Sequence, residues 1–168
     1  QRYKNYGNEA DPYVQMLGGE FIKHGKQQKA PMRVADGKFP GFAKAGTGFE
    51  LNEEWYSLKD FAQNLHVILV QETAVMEGNI YKRAAYPATW ARMHGSGRVF
   101  YTSMGHREDV WTSELFQEII VGALNWATRR VDADLTPNLE KAAPGYAEIP
   151  PQDPPAPPKK ETPKKKTN

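Results

Sequence analysis

Two β-prone runs, "YPATWARMHG" (residues 86–95) and "RVFYTSM" (98–104), meet across Gly95-Ser96-Gly97. A glycine turn this short allows only a tight reversal, so the two strands must lie antiparallel. The second run has no polar alternation, which predicts a strand covered on both faces. Nine residues, "SMGHREDVW" (103–111), then lead into a helix over about 113–130, where Phe116, Ile119, Ile120, Ala123, Leu124 and Ala127 recur at three-and-four spacing. Thr112 or Ser113 can cap its start, Glu114 lies in the first turn, and Arg129 and Arg130 fall in the last, all favourable to the helix dipole. Leu115 and Trp126 widen the apolar face, as expected of a helix lying on a sheet. A hairpin feeding a sheet-packed helix predicts an α/β domain.

Elsewhere, "HVILVQET" (66–73) is a continuous apolar strand and "APMRVAD" (30–36) a weaker one. "DPYVQMLGGEF" (11–21) suits a short helix, with Asp11 at the cap, Pro12 in the first turn and Gly18-Gly19 as the stop. Residues 39–47 form a loop, and "NEEWYSL" (52–58) taken alone reads as a solvated helix turn with Trp55 and Leu58 buried. These elements are few for a complete doubly wound sheet. The polar, tyrosine-rich residues 1–10 supply no opening strand, so the chain is expected to begin inside a domain. A length of 168 residues fits one domain, here 1–131. The extended remainder, 132–168, is expected to be disordered: 8 of its last 25 residues are proline and apolar side chains nearly vanish.

Charge narrows the partners. The net charge is +2, but residues 144–168 hold five lysines against three acids, leaving 17 basic and 17 acidic residues in the body. A neutral body lacks the Lys/Arg footprint that phosphate neutralisation requires, which argues against nucleic acid. No stretch approaches the roughly 18 apolar residues of a membrane span. Cysteine is absent, so disulfides, thiolate metal sites and a cysteine nucleophile are excluded within these residues, while the compartment is left open. The Lys-rich tail suits either a solubilising linker or a basic tether to an anionic surface.

Four segments, "DPYVQMLGGEFIKH", "FELNEEWYSLKDF", "YPATWARMHGSGRVFYTSMGHREDVW" and "LFQEIIVGALNWA", resemble the trehalose-utilisation (ThuA-like) domain, and they span roughly residues 5–130 in that family's order. The resemblance implies a flavodoxin-like three-layer α/β/α sheet of the class I glutamine amidotransferase-like superfamily. Its first strand-helix units would lie upstream of Gln1, and a C-terminal antiparallel hairpin and helix would close the domain. It also implies that the amidotransferase cysteine is not retained, which disfavours glutaminase chemistry. In an open α/β sheet, ligands sit at carboxyl ends of strands, where "GHRED" falls. His106-Arg107-Glu108 is similar in spacing to the His-x-Glu that related amidotransferases carry in this loop.

His106 is then the candidate acid/base and Glu108 the carboxylate that orients it, as in a triad. The bland alternatives are a loop-shaping histidine, and acids that merely precede a helix. Arg107 suits a hydroxyl or carboxylate clamp or a local ion pair. Trp111 suits sugar stacking or core cover. His24, past "GGEF", and Glu53 and Tyr56, in "NEEWYSL", complete the substrate-binding candidates. His66 and His94, at element edges, are read as structural. No cofactor is evident; four histidines leave room for a divalent metal, but no pair has metalloprotease spacing. The leading expectation is a carbohydrate-processing domain acting on a disaccharide or keto-sugar derivative, a hydrolase or isomerase. The alternative is a non-catalytic carbohydrate-binding module of a larger protein. A truncated sheet would expose an unpaired edge, favouring aggregation or a homo-oligomer.

Overall fold

The computed structural model describes residues 11–151. The polar stretch 1–10 and the Pro/Lys run 152–168 lie outside the described residues.

The chain enters through α1 (Pro12–Leu17), whose cap is the expected one: the Asp11 carboxylate accepts the Tyr13 N–H at 2.7 Å, and Gly18 stops the helix in the left-handed region at φ 84°. Seven strands follow: β1 (Glu20–His24), β2 (Gln28–Val34), β3 (Gly48–Glu53), β4 (Tyr56–Lys59), β5 (His66–Gln71), β6 (Tyr86–His94) and β7 (Gly97–Thr102). α2 (Glu114–Ala127) and a single turn, α3 (Leu139–Ala142), complete the fold. A five-stranded sheet runs in the order β3-β2-β5-β6-β7, and β1 and β4 form a separate two-stranded ribbon.

Every strand pair is antiparallel. The flavodoxin-like three-layer arrangement is therefore not the one the described residues form. Antiparallel neighbours are joined by hairpins or loops and need no crossover helix, so helices do not alternate with the strands. The β6–β7 hairpin, with His94 opposite Gly97, and the helix behind it are as expected. β7, however, is an edge strand and only part-buried; the strand covered on both faces is β6, buried from Tyr86 to Arg92.

α2 lies on one face. Phe116, Ile119 and Trp126 are buried there in one cluster with Met32, Phe39, Phe42, Ile68 and Ala91, and Ala123 is buried too, while Leu124, expected in the core, is 58% exposed. Ser113 caps the helix. Arg129 and Arg130 fall just past its end, where Arg129 takes a left-handed φ of 63°.

The opposite face is covered without a long helix. Leu58 and Phe61, from β4 and the loop after it, pack there with Leu65, Val67, Trp90, Leu139, Ala142 and Ala143. Residues 132–151, expected as extended tail, thus cover the sheet as far as the described residues run. Asn138 does this by imitating a strand: its side chain accepts the Val67 N–H at 2.6 Å and donates to the Val67 carbonyl at 3.0 Å. His66 adds to the latch through Thr136 O at 2.8 Å and Asp36 at 2.9 Å, the structural role expected of it.

Candidate functional site

Register fixes which residues meet. Glu53 ends β3 opposite Gln28, Thr102 ends β7 opposite Thr89, and His24 ends β1 opposite Tyr56. The loop after β7, the β3–β4 turn and the end of the ribbon therefore converge on one rim of the sheet.

Their anchor is Glu53, fully buried. Its carboxylate accepts N–H bonds from Gly105 at 2.8 Å, His106 at 3.0 Å and Arg107 at 3.0 Å, and from Glu54 at 2.8 Å. Three successive backbone amides thus point inward at one charge, which replaces water around the carboxylate and fixes the loop. Gly105 makes the bend possible at φ 106°, where a Cβ would come 3.1 Å from the Phe116 ring. "NEEWYSL" is consequently a strand-turn-strand and not a helix turn: Glu53 points in, Trp55 and Leu58 are buried, and Glu54 is left at the surface of the rim.

Glu54 is the residue that sequence reasoning passed over. Its carboxylate lies 3.4 Å from His106 Nε2 through one oxygen and 3.5 Å from His24 Nδ1 through the other. The imidazoles are 42% and 49% exposed, whereas Glu54 is only 17% exposed, so the rings face solvent and the acid stands behind them. His24 Nδ1 is also 3.1 Å from the Gly25 carbonyl, which can only accept; this nitrogen therefore carries the hydrogen and leaves Nε2 free. His106 turns Nε2 to Glu54, which leaves Nδ1 free. A doubled acid at a strand end was the available signal, since the strand period sends neighbouring side chains to opposite faces.

The other candidates surround this group. Glu108, the expected orienter of His106, is exposed and opens the 3-10 turn Glu108–Thr112; the carboxylate beside the His106 ring is that of Glu54. Arg107 spends its fork locally, on Asp109 at 2.9 and 3.0 Å and on Gln27 at 2.6 Å. This pairing raises the guanidinium pKa and holds Asp109 below the usual carboxylate range. Gln27, His106, Arg107, Glu108 and Asp109 line an open cleft of about 410 Å³. Trp111 is 54% exposed, its indole N–H bonded to the Gly105 carbonyl at 2.9 Å and its ring edge-on to Phe116. Phe21 stacks on His24 and meets Tyr56 edge-on at 5.1 Å. Burial, then Glu54 and Glu53, raises the Tyr56 phenol. A second cleft, of about 440 Å³, opens at the opposite rim beside His66, whose nitrogens are both engaged. Among the described residues no three His, Asp or Glu side chains are grouped to hold a metal ion, and no helix is long and apolar enough to cross a membrane.

The segments that build this rim coincide with a known family: the trehalose-utilisation (ThuA) model matches residues 4–127. The chain belongs to the ThuA family. Its fold is similar to that of a ThuA-like protein from Bacteroides uniformis, with a TM-score of 0.55 at 20% identity over 72% of this chain and 53% of that one. A ThuA-like protein from Parabacteroides merdae aligns with a TM-score of 0.49 at 16% identity, over 79% of this chain and 48% of that one. The chain thus spans about half the length of these solved structures. No curated protein matches it. Family membership implies a carbohydrate-related role.

Proposed function

We propose that this domain processes a disaccharide or a keto-sugar derivative and that His106 is its acid/base. One observation carries the reading: the His106 ring stands half-exposed at a cleft on the sheet rim, on a loop held rigid from below by Glu53, with Glu54 behind its Nε2. A carboxylate behind an imidazole selects one tautomer and stabilises the imidazolium when the outward nitrogen takes a proton. The free Nδ1 is then the nitrogen that exchanges a proton with a sugar hydroxyl or with a carbon beside a carbonyl. In this reading Glu54 takes the positioning role that the family resemblance suggested for Glu108. Arg107, with Asp109 and Gln27, forms a polar wall suited to hydroxyls, and the exposed Trp111, bonded to the Gly105 carbonyl of the same loop, offers a ring surface for stacking.

Incubating the full-length protein and its His106→Ala variant with 3-keto and ordinary disaccharides tests the reading. Turnover by the parent and a loss of about 10²-fold or more in the variant is expected; equal turnover by both removes His106 from the mechanism. The exposed Trp111 favours one alternative, a binding module. Sugar binding by calorimetry with no product by chromatography would establish that reading in place of the first.

A further inference from the structure

We infer that the free edge of β7 is a self-association surface, at which a second copy of this chain adds its own β7 antiparallel and joins the two five-stranded sheets into one.

Which groups the edge presents follows from the hairpin. Gly95, at φ 57°, and Ser96 form a two-residue turn closed by His94 opposite Gly97. A closing pair of this kind exchanges both backbone bonds, and the pattern then repeats at every second residue. Gly97, Val99 and Tyr101 therefore bond inward to β6, and the Ser103 N–H, next in the series, donates to the Ala88 carbonyl at 3.0 Å. Between them, Thr102 and Thr89 approach through their hydroxyls at 2.9 Å, as a pair without mutual backbone bonds does. The N–H and C=O groups of Arg98, Phe100 and Thr102 are thus turned outward along β7, which ends the sheet, and they meet no partner among the described residues.

The side chains are those of an interior strand. Phe100 stacks on Phe39 at 5.9 Å in the core under α2, and Tyr101 stacks on Trp90 at 4.1 Å on the opposite face. Edge strands are ordinarily guarded by Lys, Pro or an unpaired charge. β7 has none of these: its one charged side chain, Arg98, is turned to the Trp126 and Val131 carbonyls and to Asp132. β3, the other edge, carries Glu50 and Glu53.

The edge also matches itself. Of the two-fold registers, the one that engages all three outward residues sets Phe100 opposite the partner's Phe100 and Arg98 opposite the partner's Thr102. Val99 then faces the partner's Tyr101. Aromatic–aromatic and aromatic–β-branched pairs are favourable cross-strand neighbours, and no like charges are opposed. A two-fold axis closes such an association at two copies, and the self-match selects a second copy over an unrelated strand.

Amide exchange in the 168-residue chain, followed by NMR at increasing protein concentration beside sedimentation, tests this. The expected result is a mass of twice 19.0 kDa. The Arg98, Phe100 and Thr102 amides should slow by about tenfold or more as the dimer forms, with Val99 and Tyr101 slow throughout. Thr102→Pro removes an outward N–H and no bond to β6, so it should weaken the dimer by about tenfold or more with the far-ultraviolet dichroism retained. If that variant fails to fold, exchange in the parent decides. Three results overturn the inference: a monomer in which the three amides exchange fast, a monomer in which they are slow at every concentration because the chain covers its own edge, or a dimer in which they stay fast. A dimer undiminished in a folded Thr102→Pro does so too.

Discussion

At the residue scale, Glu53 and Glu54 are adjacent acids with opposite fates, and the difference lies in what each carboxylate meets. Glu53 is enclosed among four backbone N–H groups, a set that solvates its charge as water would. Glu53→Gln would turn one acceptor oxygen into an amide facing two donors. The expected cost is about 1–3 kcal/mol, read as a lowered denaturation midpoint together with faster amide exchange at Gly105, His106 and Arg107. An unchanged midpoint with unchanged exchange would mean that the loop does not depend on this carboxylate. Gly105→Ala strains the same loop from the other side: at φ 106° with Phe116 3.1 Å from the added Cβ, it should lose about 1–3 kcal/mol. Full stability in that variant would show that the loop can take another path. Arg107→Ala should have less effect on stability, since its partners Asp109 and Gln27 are exposed.

At the element scale, local signals were readable and distant ones were not. The β6–β7 hairpin, α1 with its caps, and α2 each announce themselves within a few residues, through Gly95-Ser96-Gly97, Asp11 and Gly18, and the three-and-four spacing after Ser113. Strand direction was not legible, because the apolar run of β5 suits either a parallel or an antiparallel interior position. Nor was the burial of Glu53, whose partners come from a loop some fifty residues further on. The place of His106 at the rim was legible because a polar loop after a strand is local; the contacts of Glu54 with His24 and His106 were not, because the two histidines come from different strands' ends. Residues 132–151 were hidden by composition, since Leu139, Ala142 and Asn138 anchor a segment that otherwise reads as tail. Asn138→Ala removes both bonds to Val67 and leaves a buried strand with unpaired backbone groups. A loss of about 1–3 kcal/mol and rapid exchange of the Val67 amide are expected. Retention of slow exchange there would show that α3 packing alone holds the strap.

At the scale of the whole molecule, the two faces of the sheet are tied together by tyrosines. The Tyr86 hydroxyl accepts from Gln71 at 2.7 Å and donates to the Tyr56 carbonyl at 3.0 Å, joining β5, β6 and the ribbon. The Tyr81 hydroxyl donates to the Trp55 carbonyl at 2.6 Å and accepts the Gly25 N–H at 3.0 Å, joining the segment before β6 to the turn beside His24. Tyr101 stacks on Trp90 at 4.1 Å. Burial raises all three phenols above their ordinary value of 10.0, since an ionised ring would lose its water in the core. A folded-state value raised above the unfolded one means that the unfolded chain releases the proton first as pH climbs. The stability these groups support is therefore complete below about pH 10 and is lost as pH rises through the raised values. With 17 basic and 17 acidic residues in the body, general charge repulsion adds little near neutrality. Tyr81, Tyr86 and Tyr101 are thus expected to ionise only as the near-ultraviolet circular dichroism collapses at alkaline pH. Tyrosinate absorbance followed alongside the dichroism checks this. Ionisation of these three buried phenols while the dichroism persists would show that their hydroxyls do not hold the ribbon and its histidine rim against the sheet.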